Sequence, residues 1–276
     1  MKNLRVRSWA AFVKAVDNFR RQYGMLRGAV EGEVRDIHRN PILFRGQARS
    51  SWSLATTLER KVADPYTIRR YFEKITRGKN ELETFTGQRW DVPMGPELEE
   101  QLSGEVHRIF MNLPGYEYLV YLRHHGFPSP LLDWTESPYI AAYFAFTDPA
   151  CKAPCVYCYV ERPHGSKGGM VGAPQIHVRG PLVTSHKRHF AQRAWYTLAT
   201  RWDNTTSQHI FCTHDSVFDL GNARQDIALK IVFSDSVRAE AMRRLSDYNI
   251  NHFTLFQSED ALVKALEHRY FDLNEA

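Results

Sequence analysis

Cysteine is scarce in this sequence, with four residues in 276. So few exclude a disulfide framework and point to a reducing compartment, read here as the cytoplasm. No run approaches eighteen consecutive apolar residues, so no membrane helix and no membrane partner are expected. The opening MKNLRVRSWAAFVKAV has neither a long apolar stretch nor a small-residue cleavage site, and does not read as a secretory leader. Internal repeats and a clear linker are also missing. What is present is 43% hydrophobic and 13% aromatic residues, enough for a proper core and too apolar for general disorder.

Acids are thin in two places. Residues 1–50 hold 11 Lys or Arg against 4 Asp or Glu, and residues 161–201 hold 7 against 1, within a net charge of +5. Basic patches of this kind attract polyanions, although a generically basic surface reads the same way. The acids gather instead at Glu97, Glu99, Glu100 and Glu105.

Periodicity organises the chain. Ser8 reads as a cap, followed by Phe12, Val16, Phe19 and Tyr23 at helical spacing and Gly24 as a stop. PILFRGQ (41–47) reads as a short buried strand. Residues 64–76 read as a helix with Asp64 as cap and Pro65 at its first position. Residues 77–104 read as an irregular insertion. Residues 115–125 read as a helix stopped by Gly126, and 137–146 as a helix with Ser137 as cap and Pro138 behind it. Strands are read at 154–161, 192–200, 207–214 and 227–234, and helices at 234–250 and 258–271. The pattern predicts one mixed α+β domain over 1–276.

The stretch PLLDWTESPYIAAYFA (130–145) places Asp133, Trp134, Thr135, Glu136 and Ser137 between two apolar runs. Capping accounts for Ser137. In extended chain Asp133, Thr135 and Ser137 share one face, which suits a ribose or phosphate beside a helix start. A buried hydrogen-bonded turn is the plainer alternative. Arg45, after an apolar strand and before Gly46, suits a bidentate grip on phosphate, with a structural ion pair as its alternative. Cys151, Cys155 and Cys158 show C-x3-C-x2-C spacing, but strand alternation sends Cys155 and Cys158 to opposite faces, so no metal is expected. HVRGPLVTSHKRHFAQR (177–193) carries seven basic or imidazole side chains and no acid. With Phe190, Trp195, Tyr196 and Trp202 in or beside it, it suits single-stranded nucleic acid, and Lys187, Arg188, Arg193 and Trp195 are the expected contacts.

Three segments together resemble the FRG domain, a family named for its Phe-Arg-Gly motif. They are ILFRGQARSSWSLATTLER around Phe44-Arg45-Gly46, YLRHHGFPSPLLDWTESPYIAAYFAF (121–146), and RHFAQRAWYT with Arg188, Gln192, Tyr196 and Thr197. The likeness extends over roughly residues 8–270. The order of these motifs is also remotely similar to ADP-ribosyltransferases of the arginine–serine–glutamate type. That similarity implies a split β-sheet core flanked by helices, NAD as substrate, and a toxin modifying nucleic acid, RNA ahead of DNA. The setting it implies is antiphage defence or a toxin–antitoxin pair, with a cognate antitoxin and a chaperone as possible partners. It further implies Arg45, Gly46, His125, Thr135 and Tyr143 as dinucleotide contacts, and Gln192, Asp133 and Ser137 as the reacting set. Gln192 stands where that type carries a carboxylate, and an amide orients sugar hydroxyls without supplying charge. A non-catalytic nucleotide- or nucleic-acid-binding FRG module is therefore the second reading. A nuclease is the third, since adjacent His124 and His125 diverge in direction.

Overall fold

The computed structural model describes residues 1–24, 41–62, 66–103, 113–163, 167, 172–181, 183–184, 187–220 and 225–272. Eight strands form one mixed sheet. They are β1 (Lys2–Val6), β2 (Leu43–Gln47), β3 (Leu132–Thr135), β4 (Cys155–Glu161), β5 (Gln175–Arg179), β6 (Ala194–Asp203), β7 (Gln208–Phe211) and β8 (Asp226–Phe233). Their order is β1-β8-β4-β2-β3-β6-β5, with β7 also on β6. β1 runs parallel to β8, and the other pairs are antiparallel.

The helices are α1 (Trp9–Gly24), α2 (Thr57–Lys61), α3 (Ile68–Ile75), α4 (Lys79–Thr86), α5 (Pro96–Ser103), α6 (Tyr116–His124), α7 (Pro138–Phe146), α8 (Lys187–Ala191), α9 (His214–Asp219), α10 (Arg238–Asp247), α11 (His252–Phe256) and α12 (Glu259–Glu267). Local chemistry sets their starts. Ser8, Ser137 and Ser258 each accept a backbone N–H from the first turn, as their positions predict. The expected cap Asp64 and its neighbour Pro65 lie outside the described residues. The described helix there begins at Ile68, because Thr67 accepts from Arg70 N at 3.1 Å.

Alternation along the central strands divides the interior into three cores. Phe44, Val156, Cys158 and Ile231 pack with α1, α7 and α10 on one face. Leu43, Cys155, Tyr157 and Tyr159 face the other way and meet Trp134 and Phe218. The third core lies under the β6 half of the sheet, where Tyr196 and Leu198 meet α3, α5 and α6. β4 is buried along its whole length, which explains its unbroken run of apolar residues. Cys155 and Cys158 lie in different cores, as the alternation requires.

Residues 77–104 are not the irregular insertion that their Gly and Pro content predicted. Two helices occupy them, and Trp90, Val92 and Leu98 enter the third core. The polar residue that organises this stretch is Glu83, only 4% exposed. It takes Lys79 Nζ at 2.8 Å, Arg89 Nη1 at 3.0 Å and the Trp90 N–H at 2.9 Å. Hydrogen bonds from Lys79 and from the Trp90 backbone hold its carboxyl down to about 2, against an ordinary 4.5. A depressed folded-state value means the anchoring is complete above the unfolded value and is lost only as pH falls through about 2. Pepsin at pH 4 is therefore expected to leave residues 87–103 intact in the natural chain and to cut them in Glu83→Gln. Equal cutting of both would remove the anchoring role.

Candidate functional site

The sheet is joined at its middle by one residue pair, Phe44 opposite Thr135. Beyond that pair β2 and β3 part, and a cleft of ≈ 880 Å³ opens between Arg45–Ala48 on one side and Asp133–Trp134 on the other. This volume suits a dinucleotide-sized ligand. Arg45, Gly46, Asp133, Thr135, Arg188 and Gln192 all line it, so sequence positions far apart come together as the motifs predicted.

Asp133 sits at the centre. Arg123 grips both its carboxylate oxygens, with Nε donating to Oδ1 at 3.1 Å and Nη2 to Oδ2. Arg45 Nη1 donates to the Asp133 carbonyl at 2.8 Å and lies 4.0 Å from Oδ2. Burial alone would raise the Asp133 carboxyl, but the Arg123 and Arg45 charges outweigh it and hold it below the ordinary aspartate range. The same carboxylate raises Arg123. Burial lowers Arg45 to about 10, partly offset by Asp133, so it stays charged at neutral pH. Arg60, Arg188 and Phe144 also line the wall, with the Arg188 guanidinium 5.5 Å from the centre of the Phe256 ring. Four guanidinium groups against Asp133 and Asp148 make the cleft cationic.

Gln192 is presented by a tight turn between α8 and β6. Arg193 adopts a φ of +47°, and its N–H reaches back to the Phe190 carbonyl at 3.0 Å. Gln192 Nε2 donates to the Leu255 carbonyl at 3.1 Å, which fixes the amide and leaves Oε1 as its acceptor.

Several expected contacts stand elsewhere. Thr135 lines the cleft, but its hydroxyl donates to the Gln192 carbonyl at 2.7 Å and accepts the Ser137 N–H at 3.1 Å, so it shapes the corner. Ser137 is outside the lining and caps α7, accepting from Ile140 N at 3.3 Å. Tyr143 is 4% exposed and its hydroxyl meets His252 Nδ1 at 3.1 Å, within the first core and not on the cleft. His125 is exposed against Tyr121, whereas His124 lines the cleft and meets the Tyr196 hydroxyl at 2.9 Å. Neighbouring positions at the end of a helix point about 100° apart, which separates the two rings.

The expected nucleic-acid contacts also separate. Arg188 lines the cleft and Lys187 is exposed at the start of α8. Arg193 Nη2 and Trp195 Nε1 both turn to Glu136, at 2.6 and 2.7 Å, away from the lining. Sequence reasoning passed over Arg123, Arg60, Phe144, Phe256 and Trp52 as wall residues. Trp52, Arg60, Arg123 and Phe144 all lie within the motifs that carry the family likeness, but nothing in those motifs singled them out.

The FRG domain family model matches residues 40–153. Over that segment the chain is similar to the FRG domain. The match is shorter than the span of 8–270 read from the motifs. Within it lie Arg45, Gly46, Trp52, Arg123 and Asp133 of the cleft lining. Arg188, Gln192, Tyr196 and Phe256 join the lining from beyond the matched segment. No curated protein and no solved structure matches the chain.

Proposed function

We propose that this chain is an NAD-dependent ADP-ribosyltransferase acting on nucleic acid, RNA ahead of DNA. The observation that carries the reading is the cationic cleft of ≈ 880 Å³ with Arg45, Asp133 and Gln192 on its walls. Arg45, aided by Arg123, holds the pyrophosphate in a fork that suits its oxygens. Gln192 Oε1 accepts a hydroxyl of the nicotinamide ribose. Cleavage of the nicotinamide–ribose bond develops positive charge on the sugar. Gln192 cannot answer that charge, and the ionised Asp133 supplies it from the cleft centre. The C–N bond breaks with its electron pair on nicotinamide, which leaves as a neutral ring, the acceptor's nucleophile bonds to the sugar carbon, and the acceptor's proton passes to solvent. Arg188 on the cleft lining and the exposed Lys187 next to it in sequence guide a polyanionic acceptor. An enzyme of this kind serves as a toxin in antiphage defence or a toxin–antitoxin pair, where a cognate antitoxin, with or without a chaperone, holds it silent.

The purified chain, incubated with NAD carrying a labelled adenylate and with separate RNA, DNA and protein pools, is expected to release nicotinamide and label RNA. No release and no label in any pool removes the reading. One observation favours the second reading, a binding module without turnover: the residue at the turn before β6 is Gln192 and not a carboxylate. In that case the ligand binds and is recovered unchanged.

A further inference from the structure

Two residues of the cleft lining are held by one short helix. The last carbonyls of any helix have no donor within it, and those of α11 are met by side chains from α8 and its turn. Gln192 Nε2 donates to the Leu255 carbonyl at 3.1 Å, and Arg188 Nε donates to the Phe256 carbonyl at 3.3 Å. The place of α11 therefore sets where Gln192 Oε1 and the Arg188 guanidinium stand.

Five residues are too few for a helix to hold itself. Its ends are shaped locally: Asn251 Oδ1 accepts the Thr254 N–H at 3.0 Å, Thr254 Oγ1 accepts the Asn251 N–H at 3.1 Å, and Gln257 closes the turn with a φ of +52°. These bonds form α11 without fixing where it lies. Leu255 is buried in the first core, but apolar contact is not directional. Direction comes from α7, where the Tyr143 hydroxyl meets His252 Nδ1 at 3.1 Å. His252 in turn stacks on Phe256, one turn later, with ring centres 4.3 Å and planes 24° apart. Phe144, next to Tyr143, meets the same Phe256 ring edge-on at 6.1 Å. A line of contacts thus runs from α7 through α11 to the wall that carries Arg188 and Gln192.

We propose that Tyr143 is a positioning residue: through His252 it sets α11, and α11 sets Gln192 and Arg188 against the ligand. The proposal rests on the transferase reading of the cleft. It gives Tyr143 a part in the reaction without any contact with the dinucleotide.

Tyr143→Phe tests it, since the ring stays and only the hydroxyl goes. The thermal midpoint is expected to stay within about 4 °C of the natural chain, the effect of one net hydrogen bond. The kcat of nicotinamide release is expected to fall about tenfold, with KM for NAD held within about threefold because Arg45 and Arg123 keep their places. In a Gln192→Ala background the same change is expected to alter release by less than about twofold, since the residue it acts through is gone. Hydrogen exchange read by mass spectrometry follows position without any reaction. Amides of residues 188–193 are expected to exchange about threefold or more faster in Tyr143→Phe, with residues 155–160 unchanged. Natural exchange at 188–193 in the variant overturns the proposal whatever the release. So does release by Tyr143→Phe equal to that of an active natural chain, or the same tenfold loss in both backgrounds. If the natural chain releases no nicotinamide, the transferase reading falls, and the exchange result alone decides whether Tyr143 sets this wall. Normal release with unaltered exchange does the reverse.

Discussion

Gly46→Ala is expected to cost about 3 kcal/mol or more of folding stability and to lower the thermal midpoint by roughly 6–12 °C. A Cβ built on Gly46 would stand 1.8 Å from the Ala141 carbonyl oxygen, 2.7 Å from Ala145 N and 2.9 Å from Ala141 C. All three are backbone atoms of α7, so no side-chain rotation relieves the overlap. Either the helix moves off β2 or the strand leaves the sheet, and both disturb the core around Phe44 and Phe146. Gly78, whose added Cβ would meet nothing within 4 Å, provides the matched control, and Gly78→Ala is expected to be near neutral. Urea and thermal unfolding of the two variants measure the contrast. A Gly46→Ala midpoint equal to that of Gly78→Ala would mean that α7 does not lie this close to β2.

The reading of Gly46 changes accordingly. The resemblance implied Gly46 as a dinucleotide contact. It does line the cleft, but the close approach that demands glycine comes from the helix. The Phe-Arg-Gly triplet is thus divided in its duties: Phe44 fills the first core, Arg45 faces Asp133, and Gly46 admits α7.

Arg45→Lys is expected to lower nicotinamide release roughly 100-fold while the chain stays folded. Lysine keeps the charge but loses the planar fork, so the variant separates simple cation placement from bidentate grip. The Arg123–Asp133 pair persists in it and keeps the cleft centre assembled. Asp133→Asn is the companion variant. It leaves Arg45 and Arg123 facing one another without their shared carboxylate, and both release and thermal midpoint are expected to fall. Release from Arg45→Lys within threefold of the natural chain would take Arg45 out of the proposed chemistry.

Much of the fold was legible because its signals are local. Hydroxyl caps at Ser8, Ser137 and Ser258 fixed three helix starts, and the apolar residues 155–160 announced a strand. The stretch from 77 to 104 misled because its order comes from a single buried carboxylate, Glu83, which looks like any other polar residue in sequence. β1 was overlooked since most of it is exposed at the sheet edge and its pattern is weak. At the cleft, the residues whose backbone lies on β2, β3 and the β6 turn were found from the motifs. Arg123 was not, because nothing in a linear sequence says that a helical arginine will fold over onto an aspartate ten residues later. Tyr143 and His125 were chosen one position away from Phe144 and His124, which do line the cavity. On a helix a single step is enough to turn a side chain from the wall to the core or to solvent.

The parallel pairing of β1 with β8 ties Lys2–Val6 to Leu229–Phe233. During synthesis the first strand must therefore wait until residues 229–233 have left the ribosome before it finds its neighbour. β4, the middle of the sheet, waits for the same partner. A nascent or prematurely terminated chain lacking the segment from 226 onward has the Phe-Arg-Gly triplet but neither the β8 support behind β4 nor the Leu255 carbonyl that orients Gln192. Assembly of the cleft is thereby coupled to the synthesis of residues 226–255.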